Sequence, residues 1–322
     1  MEVVRPMMSP MQDIPEPVSI LAVIVLYRMN PSESPAFRSL QASASSLDHS
    51  NVRVKILLYD NTPGGHLPGI LPENTEYRQS PGNYGLASAY NAALQMATAE
   101  GFEWLLTLDQ DTTVPESFLG RVASLAKDME SRLDVAGFVP EVVDHGTFIS
   151  PHVLVRGRWR RLPDNFVGVP DGEISAINSG ATWRTQSLRD IGGFNPLFWL
   201  DYLDHWLYRE IQLSGKRICV VGDLRIEHEL SLLSSPHQLT PDRLASILEA
   251  ESAFYDLYKS VTIGRLLTMM MFARLSILLL KTGNRGLWRV IWLYFRQRVV
   301  CRRTTRILKW EQRVRERLER SS

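Results

Sequence analysis

The sequence predicts an α/β fold in which helices flank a mainly parallel sheet, followed by a helical, basic C-terminal region. Three observations lead to this prediction. Apolar, β-branched runs alternate with helical patterns over residues 18–139, as expected for βαβ units. Polar residues directly follow several of these runs, at the sheet edge where such folds bind ligands. Basic residues are concentrated in the last part of the chain, within a helical pattern.

The predicted strands and helices alternate along the first part of the chain. Because the apolar runs are continuous, they indicate strands that are buried on both faces. Small residues and strong helix formers mark the helix that begins at Gly85, and a proline lies at or near the start of the next helix. We predict strands at 18–27, 53–59, 103–108 and 134–139, and helices at 36–47, 85–99 and 115–129.

The chain is predicted to become less regular after residue 140 and then fully helical. Residues 1–16 are expected to be a flexible leader, because they lack the basic start and apolar core of a signal peptide. The α/β domain is placed at 17–235 and the helical region at 236–322. Within these regions we predict a hairpin at 148–156 and 158–161, a loop at 163–172, helices at 185–191 and 203–213, a strand at 217–221 leading to His228, and helices at 241–258, 262–281 and 288–318.

Charge is distributed unevenly along the chain. Residues 257–322 contain 16 Lys or Arg and three Glu, a net charge of +13, so the remainder carries −12 although the whole chain has +1. The most apolar stretch, 263–280, is interrupted by Arg265 and Arg274, so we expect no membrane-spanning helix. Cys219 and Cys301 fit neither a metal site nor a disulfide framework, and a reducing compartment suits them.

Asp109-Gln110-Asp111 follows the third predicted strand. Two carboxylates one residue apart on a turn can both face a cation. Mg²⁺ or Mn²⁺ prefers such hard oxygen ligands and shares its remaining positions with phosphate oxygens. The alternative is one aspartate that caps the following helix while the other is merely solvated. The position at the end of a buried strand favours the metal site.

Two further segments are candidates for nucleotide contact. Asp60 ends the second strand and could accept hydrogen bonds from a ribose hydroxyl or a base N–H, although its segment is equally a turn sequence. Asn83, Gly85 and Asn91 lie at the start of a helix whose small residues let a ligand approach. The alternative is that the helix has small residues because it packs closely on the sheet. That alternative explains the alanines equally well but explains Asn83 and Asn91 less well.

Acidic and aromatic residues occur together around residue 200. A carboxylate near apolar rings, such as Asp201 or Asp204 beside Trp199, can have a raised pKa and act as a general base. The alternative is that these carboxylates cap the helix at 203–213, which would suit Asp201 especially. His228 is a candidate third metal ligand, although a lone histidine is more often structural.

Taken in order, these segments resemble the inverting family-two glycosyltransferases of the GT-A fold, and most of all the bacterial rhamnosyltransferases of polysaccharide assembly. The resemblance spans about residues 18–230. The Asp-Gln-Asp form and residues 194–207 resemble the rhamnosyl branch, whereas Arg28-Met29 and His205-Trp206 depart from the usual pattern. The segments that carry the resemblance are AVIVLYRMNP, LLYDN, NYGLASAYNAAL, LLTLDQD, INSGATWR, IGGFNPLFWLDYLDHWLYRE and IEHEL.

The resemblance implies a role for each matching residue. It makes residues 17–235 a catalytic domain of the GT-A (Rossmann-like) fold, with Asp204 as the base and a divalent cation, Mg²⁺ or Mn²⁺, as cofactor. The implied sites are donor binding at Tyr27, Asp60, Asn83, Gly85, Asn91, Asp109 and Gly180, metal binding at Asp111 and His228, and the acceptor side at Asp201 and Trp199.

The implied reaction transfers a sugar from a nucleotide-sugar to a saccharide or lipid-linked acceptor with inversion, in cell-surface polysaccharide synthesis. The expected donor is dTDP-L-rhamnose, with another UDP- or dTDP-sugar as the alternative. Rival functions are a nucleotidyltransferase, whose usual glycine-rich loop is missing at 28–32, and a non-catalytic membrane-bound scaffold, which would not need the carboxylates of Asp109, Asp111, Asp201 and Asp204.

The basic C-terminal region has two interpretations. Apolar and basic residues occurring together favour an anionic membrane surface, bound through 257–322, with Trp and Tyr at the headgroup level. The alternative is that these helices pack on the catalytic domain or on a partner, including a homo-oligomer. We expect a cytoplasmic protein that lies peripherally on the inner face of the cell membrane, and no nucleic-acid partner, because the acidic body offers no extended basic face.

Overall fold

The computed structural model describes residues 17–48, 51–229, 240–282 and 285–320. The predicted leader, 1–16, and the predicted boundary near residue 235 lie outside these ranges. Within them, the predicted α/β architecture is confirmed. A mixed, mainly parallel sheet of ten strands is flanked by helices, and a second sheet has three strands.

The strands are numbered along the chain as β1 (Val18–Leu26), β2 (Val52–Asp60), β3 (Thr75–Gln79), β4 (Trp104–Asp109), β5 (Thr112–Thr113), β6 (Val135–Asp144), β7 (Thr147–Ser150), β8 (His152–Val155), β9 (Arg158–Arg161), β10 (Val167–Gly168), β11 (Glu173–Ser175), β12 (Thr182–Arg184) and β13 (Arg217–His228). The large sheet has the order β10-β13-β6-β12-β4-β1-β2-β3, with β5 beside β13 and β7 beside β6. β1 pairs in parallel with β2 and β4, whereas β12 lies antiparallel between β4 and β6. The small sheet has the order β11-β8-β9.

The helices are α1 (Pro35–Ser45), α2 (Gly85–Ala99), α3 (Phe118–Asp128), α4 (Thr185–Asp190), α5 (Leu203–Leu213), α6 (Pro241–Tyr258), α7 (Val261–Thr282), α8 (Arg285–Val300) and α9 (Arg303–Arg320), with short 3₁₀ turns at Pro31–Glu33 and Pro196–Phe198. α2 and α5 cover one face of the large sheet, and α1 and α3 cover the other. Alternate residues of β1 divide between these two faces: Leu21 and Val23 join the first core, and Ile20 and Ile24 join the second.

Three features of the strands differ from the sequence prediction. β3 is missed because its sequence, TEYRQ, carries the charges typical of an edge strand instead of an apolar run. The predicted strand at 217–221 continues to His228 through an irregularity in its pairing with β6. The predicted strand at 148–156 is divided into β7, which pairs with β6, and β8, which forms the hairpin with β9.

The prediction of one long helix at 288–318 is wrong, because α8 ends at Val300 and α9 begins at Arg303. The side chain of Arg306 donates hydrogen bonds to the backbone oxygens of Arg298 and Cys301. These bonds satisfy carbonyl groups at the end of α8 that a continuing helix would otherwise have used.

The four C-terminal helices fall into two groups. α9 packs on the α/β domain: Trp310 and Val314 are buried in the same core as α2 and α5. α7 and α8 pack instead with α6, in a separate core that includes Leu248, Ile291 and Tyr294. Among the described residues, no helix combines the length and apolar character that crossing a membrane requires.

Candidate functional site

A cavity of about 320 Å³ lies at the carboxyl ends of β1, β2 and β4, where the sequence predicts a ligand site. A larger cavity of about 1040 Å³ lies at the opposite end of the sheet, beside Val18 and Glu103, and none of the predicted site residues lines it. Because several predicted site residues line the smaller cavity and none lines the larger one, we take the smaller cavity as the candidate site. It is lined by Tyr27, Asn83, Gly85, Asp109, Asp111, Trp199 and His228, whereas Asp60, Asn91, Gly180, Asp201 and Asp204 are not among its lining residues.

Asp109, Asp111 and His228 are brought together by the pairing of β5 with β13, in which Thr112 is the partner of His228. His228 Nδ1 lies 3.4 Å from Asp111 Oδ1, and its Nε2 lies 3.8 Å from Asp109 Oδ2. The predicted grouping of these three side chains is therefore present in the structure. The long extension of β13, which the sequence pattern did not predict, is what carries His228 to the two carboxylates.

A buried chain of hydroxyl groups supports this cluster. Thr112 Oγ1 lies 3.0 Å from His228 Nδ1 and 2.6 Å from Ser179 Oγ. Ser179 Oγ also accepts a hydrogen bond of 3.0 Å from the backbone N–H of Asp109. Thr112 therefore positions the imidazole of His228 and Ser179 positions the backbone of Asp109, through contacts between residues far apart in sequence.

The electrostatics of the two carboxylates fit a cation. Burial raises the pKa of both Asp109 and Asp111, and the nearby charge of His228 opposes that rise. Asp111 Oδ1 is buried and accepts no hydrogen bond from any described residue. Buried carboxylate oxygens that lack donors are suited to a hard divalent ion. No three acidic, His or Cys side chains of the described ranges already form a complete metal site, so phosphate oxygens and water would supply further ligands.

Asp204 lies in the first turn of α5, near the cluster but outside the cavity lining. Burial and, second, the charge of Asp109 raise the pKa of Asp204 to about 7, although a backbone hydrogen bond from Asn178 opposes the shift. The Tyr90 hydroxyl lies 3.4 Å from Asp109 Oδ1. Burial raises the pKa of Tyr90 most, and the negative charges of Asp109 and Asp204 raise it further. A carboxyl group with a pKa near neutrality is suited to proton transfer.

Asp60 is completely buried. Its oxygens accept hydrogen bonds from the Tyr77 hydroxyl at 2.7 Å and the Thr62 N–H at 2.8 Å, and His66 Nδ1 lies 2.7 Å away. Burial raises the pKa of Asp60, but these hydrogen bonds outweigh it and the net shift is downward. The carboxylate is thus fully engaged by the protein in this arrangement.

The neighbouring Asn61 lines the cavity instead. Its Nδ2 donates to the backbone oxygen of Gly85 at 3.0 Å, whereas its buried Oδ1 has no hydrogen-bond partner among the described residues. An unsatisfied acceptor at a cavity wall is a natural partner for a ligand N–H or O–H. The sequence singled out Asp60 as the candidate, and no local pattern indicated that its neighbour Asn61 would face the ligand instead.

The asparagines and glycines of the predicted donor side have different roles. Asn83 accepts a hydrogen bond from the backbone N–H of Gly85, at the start of α2. Gly85 has φ +78°, and a Cβ there would lie 2.2 Å from the backbone oxygen of Trp199, so only glycine fits. Asn91 does not line the cavity: its side-chain amide donates to Phe194 O at 2.7 Å and accepts from Phe194 N–H at 2.8 Å. The structure thus gives Asn91 a role in positioning the loop before residue 196.

Gly180 also has a structural reason to be glycine. Its φ is +80°, and a Cβ would lie 2.5 Å from the Ile226 side chain and 2.8 Å from Pro140. Its backbone N–H donates to Thr107 O at 2.7 Å. Gly180 therefore allows the turn that places Ser179 against Asp109.

Trp199 and Asp201, which are predicted to lie on the acceptor side, contact the C-terminal helices. Asp201 does not cap α5: it accepts hydrogen bonds from Arg243 and from Ser246 Oγ, both on α6. The guanidinium of Arg317, on α9, lies 4.6 Å from the centroid of the Trp199 ring. Sequence reasoning missed these partners, because no local pattern indicates which arginine of a basic helix contacts a segment more than 40 residues earlier.

Gln110, the central residue of Asp-Gln-Asp, connects the first strand to the site. Its Oε1 accepts a hydrogen bond of 2.7 Å from the backbone N–H of Tyr27, and its backbone oxygen accepts one from Ser34 Oγ. The side chain that separates the two carboxylates therefore fixes the loop that carries Tyr27. No role for Gln110 was predicted from the sequence.

Comparison with known proteins places this arrangement in a known fold. GalNAc-T7 in a structure with UDP, GalNAc and Mn²⁺ is similar with a TM-score of 0.54 and 12% identity, covering 75% of this chain and 50% of that one. S. aureus TarS 1–349 is similar with a TM-score of 0.51 and 13% identity, covering 94% of this chain and 92% of that one. Its complex with UDP-GlcNAc also has a TM-score of 0.51, at 14% identity. The chain therefore has the GT-A glycosyltransferase fold.

The family comparison agrees with the fold. Residues 50–183 match the family described as glycosyl transferase family 2. No curated protein sequence matches the chain. The chain spans half of the GalNAc-T7 chain but nearly all of TarS 1–349. The family match covers the part of the chain that carries Asp60, Asp109 and Asp111, and the shared fold extends beyond it.

Proposed function

We propose that this protein is an inverting glycosyltransferase that moves a sugar from a nucleotide-sugar to a hydroxyl of a saccharide or lipid-linked saccharide. One observation carries the proposal. Asp109 and Asp111 face a cavity at the carboxyl edge of the sheet, and Asp204, with a pKa of about 7, is close enough to Asp109 to be affected by its charge. Leaving-group binding and proton removal can thus occur side by side.

The donor would bind in the cavity with its nucleotide toward Tyr27 and Asn61. Tyr27 is partly exposed and offers a ring face, and Asn61 offers its free carbonyl oxygen. The backbone at the start of α2 contributes the positive end of a helix dipole beside Asn83. These groups would orient the diphosphate toward Asp111. A bound nucleotide would also meet Asp60 if the Asp60–His66 contact opened.

Asp111 and His228 would hold a divalent cation, with Asp109 nearby. When bound, the cation supplies positive charge that neutralises the departing diphosphate. The protein prepares this step by burying the carboxylates and by fixing His228 through Thr112. Mg²⁺ and Mn²⁺ both suit oxygen ligands of this kind.

Asp204 would take the proton from the acceptor hydroxyl. The acceptor oxygen then attacks the anomeric carbon on the face opposite the nucleotide, so the configuration at that carbon is inverted. A base with a pKa near 7 is about half ionised at neutral pH, and its ionised form is basic enough to accept the proton as the new bond forms. Trp199, whose ring is held beneath Arg317, would form an apolar wall for the sugar.

The donor sugar is proposed to be rhamnose from dTDP-L-rhamnose, on the resemblance of residues 194–207 to the rhamnosyl branch, with a role in cell-surface polysaccharide synthesis. A UDP-sugar is the second candidate. It is favoured by two structures of the same fold, one with UDP and one with UDP-GlcNAc. The two candidates differ in both base and sugar, so a single panel separates them.

The test is to incubate the purified protein and Mg²⁺ or Mn²⁺ with a panel of dTDP- and UDP-sugars and to measure release of the nucleoside diphosphate. We expect release from one or a few donors, stimulated by a saccharide acceptor, and a product of inverted anomeric configuration by NMR. Consumption of added inorganic diphosphate, with formation of a nucleoside triphosphate and a sugar 1-phosphate, would instead support a nucleotidyltransferase. A product with retained configuration would rule out the single displacement by Asp204.

A further inference from the structure

The helix pair α7–α8 presents an apolar surface to solvent. We define the α7–α8 face by its six large apolar side chains, which are between 44% and 62% exposed: Ile263, Leu266, Met269, Met270, Trp292 and Leu293. Single exposed apolar residues are ordinary on protein surfaces, but six on two adjacent helices are not. Their spacing along α7, at three- and four-residue intervals, puts them on one side of the helix.

The packing of these two helices explains why the face remains outside. The inner side of the pair is already filled: Phe272 stacks near Phe295, with ring centroids 4.3 Å apart, and Leu287 and Ile291 pack against α6. The buried Arg298 links α6, α7 and α8 by hydrogen bonds to Ser252 and Thr268. The six exposed side chains therefore do not belong to the core that α6, α7 and α8 form.

Charge indicates what covers this face. Residues 257–302 contain nine Lys or Arg and no Asp or Glu. Arg289, Arg296 and Arg302 are exposed, and Arg289 and Arg296 share the outer side of α8 with Trp292. Arg298, by contrast, is neutralised by the buried Asp256. An apolar surface bordered by unbalanced positive charge complements an anionic lipid layer: acyl chains accept the apolar side chains, and headgroups accept the arginines.

We propose that the α7–α8 face binds the surface of an anionic phospholipid membrane, lying in the interface without crossing it. A second copy of the chain is a poorer occupant, because a symmetric contact would place arginines of the same face near one another. None of the six apolar residues lines the cavity, so the inference does not depend on which sugar is transferred.

The face is mechanically connected to the candidate site through α6. Leu244 and Leu248 of α6 pack in the core that α6 shares with α8. Arg243 and Ser246 of α6 donate hydrogen bonds to Asp201, which follows the cavity-lining Leu200. Membrane contact would therefore anchor the helix that positions the acceptor side, which suits an acceptor carried on a lipid.

The first test is sedimentation of the full-length protein with vesicles of phosphatidylcholine, with or without phosphatidylglycerol. The variant Leu266→Gln, Met270→Gln, Trp292→Gln removes three apolar side chains that are largely solvated in the free protein, so folding should be preserved. We expect its partition onto anionic vesicles to fall by at least about 100-fold. The matched control is Leu67→Gln, Ile70→Gln, which changes two fully exposed apolar residues elsewhere and should bind like wild type.

The second test separates charge from apolar contact. Arg289→Gln, Arg296→Gln should lower partition onto anionic vesicles on the order of 30-fold, and should leave the weak binding to pure phosphatidylcholine unchanged. Arg158→Gln, Arg160→Gln, on the exposed strand β9, is the matched control.

Either of two results would overturn the proposal. One is equal partition of wild type and the apolar triple variant onto anionic vesicles. The other is a concentration-dependent dimer in sedimentation velocity that the triple variant abolishes, without lipid binding by the wild type. In all variants, donor hydrolysis in solution should equal that of the wild type, so a failure of the glycosyltransferase assignment is detected separately.

Discussion

The candidate site has two halves that are built in different ways: the donor half at the strand ends, where we propose that the donor binds, and the acceptor half around Trp199 and Asp201, where we propose that the acceptor binds. Asp109, Asp111 and His228 stand at the ends of strands of one sheet or just beyond them, and backbone pairing fixes them. Trp199 and Asp201 lie in a loop that is held by side chains of α6 and α9. The first half is therefore rigid through the backbone, whereas the second depends on individual side-chain contacts.

This difference has a functional consequence. Substitutions in the C-terminal helices should alter acceptor use while donor binding is preserved, and substitutions at the strand ends should do the opposite. Asp204 belongs to both halves, because it lies on α5, on the acceptor side, while Asp109 of the donor half raises its pKa.

The largest expected effect is at the junction of the two halves. Asp204→Asn should lower the transfer rate by roughly 10²–10⁴-fold, because the substituted amide cannot accept the proton. The donor dissociation constant, measured by calorimetry, should remain close to that of the wild type. Asp190→Asn, on the surface of α4, is the control for a neutral substitution. Transfer at the wild-type rate in Asp204→Asn would remove this residue from the role of base.

Next in size is the loss of the metal-facing carboxylate in the donor half. Asp111→Ala should weaken cation-dependent donor binding by about 100-fold, since even outer partners of metal ligands typically contribute about 10–100-fold. The acceptor KM, where it can be measured, should change little. Titration of the donor with and without a chelator provides the measurement. A wild-type donor affinity that is insensitive to chelator would contradict the metal site.

The pH dependence of the transfer rate tests how Asp109 in the donor half affects Asp204. Because Asp204 must be ionised to act, and its pKa is raised to about 7, transfer should rise with pH through that region. Below the midpoint the rate should fall about tenfold per pH unit. Positive charge near Asp109 would move the midpoint to lower pH. The acidic limb should be absent from the residual activity of Asp204→Asn, and its persistence there would assign the limb to another group.

The smallest effect tests the acceptor half alone. Arg317→Ala removes the cation that lies over the Trp199 ring, a contact worth about 0.5–1 kcal/mol at exposed sites. We expect the acceptor KM to rise roughly two- to fivefold, with donor affinity unchanged. Arg315→Ala, an exposed arginine two residues earlier on the same helix, is the matched control. Equal effects of the two variants would show that general charge, and not this contact, matters.

The sequence was most informative where function rests on strands. The runs before Tyr27, Asp60 and Asp109 predicted the strands, and parallel pairing then placed their ends at one edge. It was less informative about side-chain direction at those ends. Asp60 is turned inward toward Tyr77 of β3, an edge strand that the apolar pattern did not reveal, and Asn61 takes its place at the cavity.

The C-terminal region shows the same limit at a larger scale. Its composition supported both membrane contact and packing on the catalytic domain. The structure assigns packing to α9, through Trp310 and Val314, and leaves the apolar side of α7 and α8 exposed. Composition alone could not show which helices pack on the catalytic domain and which stay exposed, since α7–α8 and α9 are both basic and both contain tryptophan.

What the sequence determined by itself was the α/β class, the carboxyl edge as the site, and the carboxylates available there. These follow from local periodicity and from the geometry of parallel strands, which operate over a few residues. Only the tertiary structure decided that Thr112 and Ser179 orient His228, that Asp204 approaches Asp109, and which arginines hold the acceptor loop. Those contacts join residues up to about 120 positions apart, and no local pattern encodes which partner a distant side chain will meet.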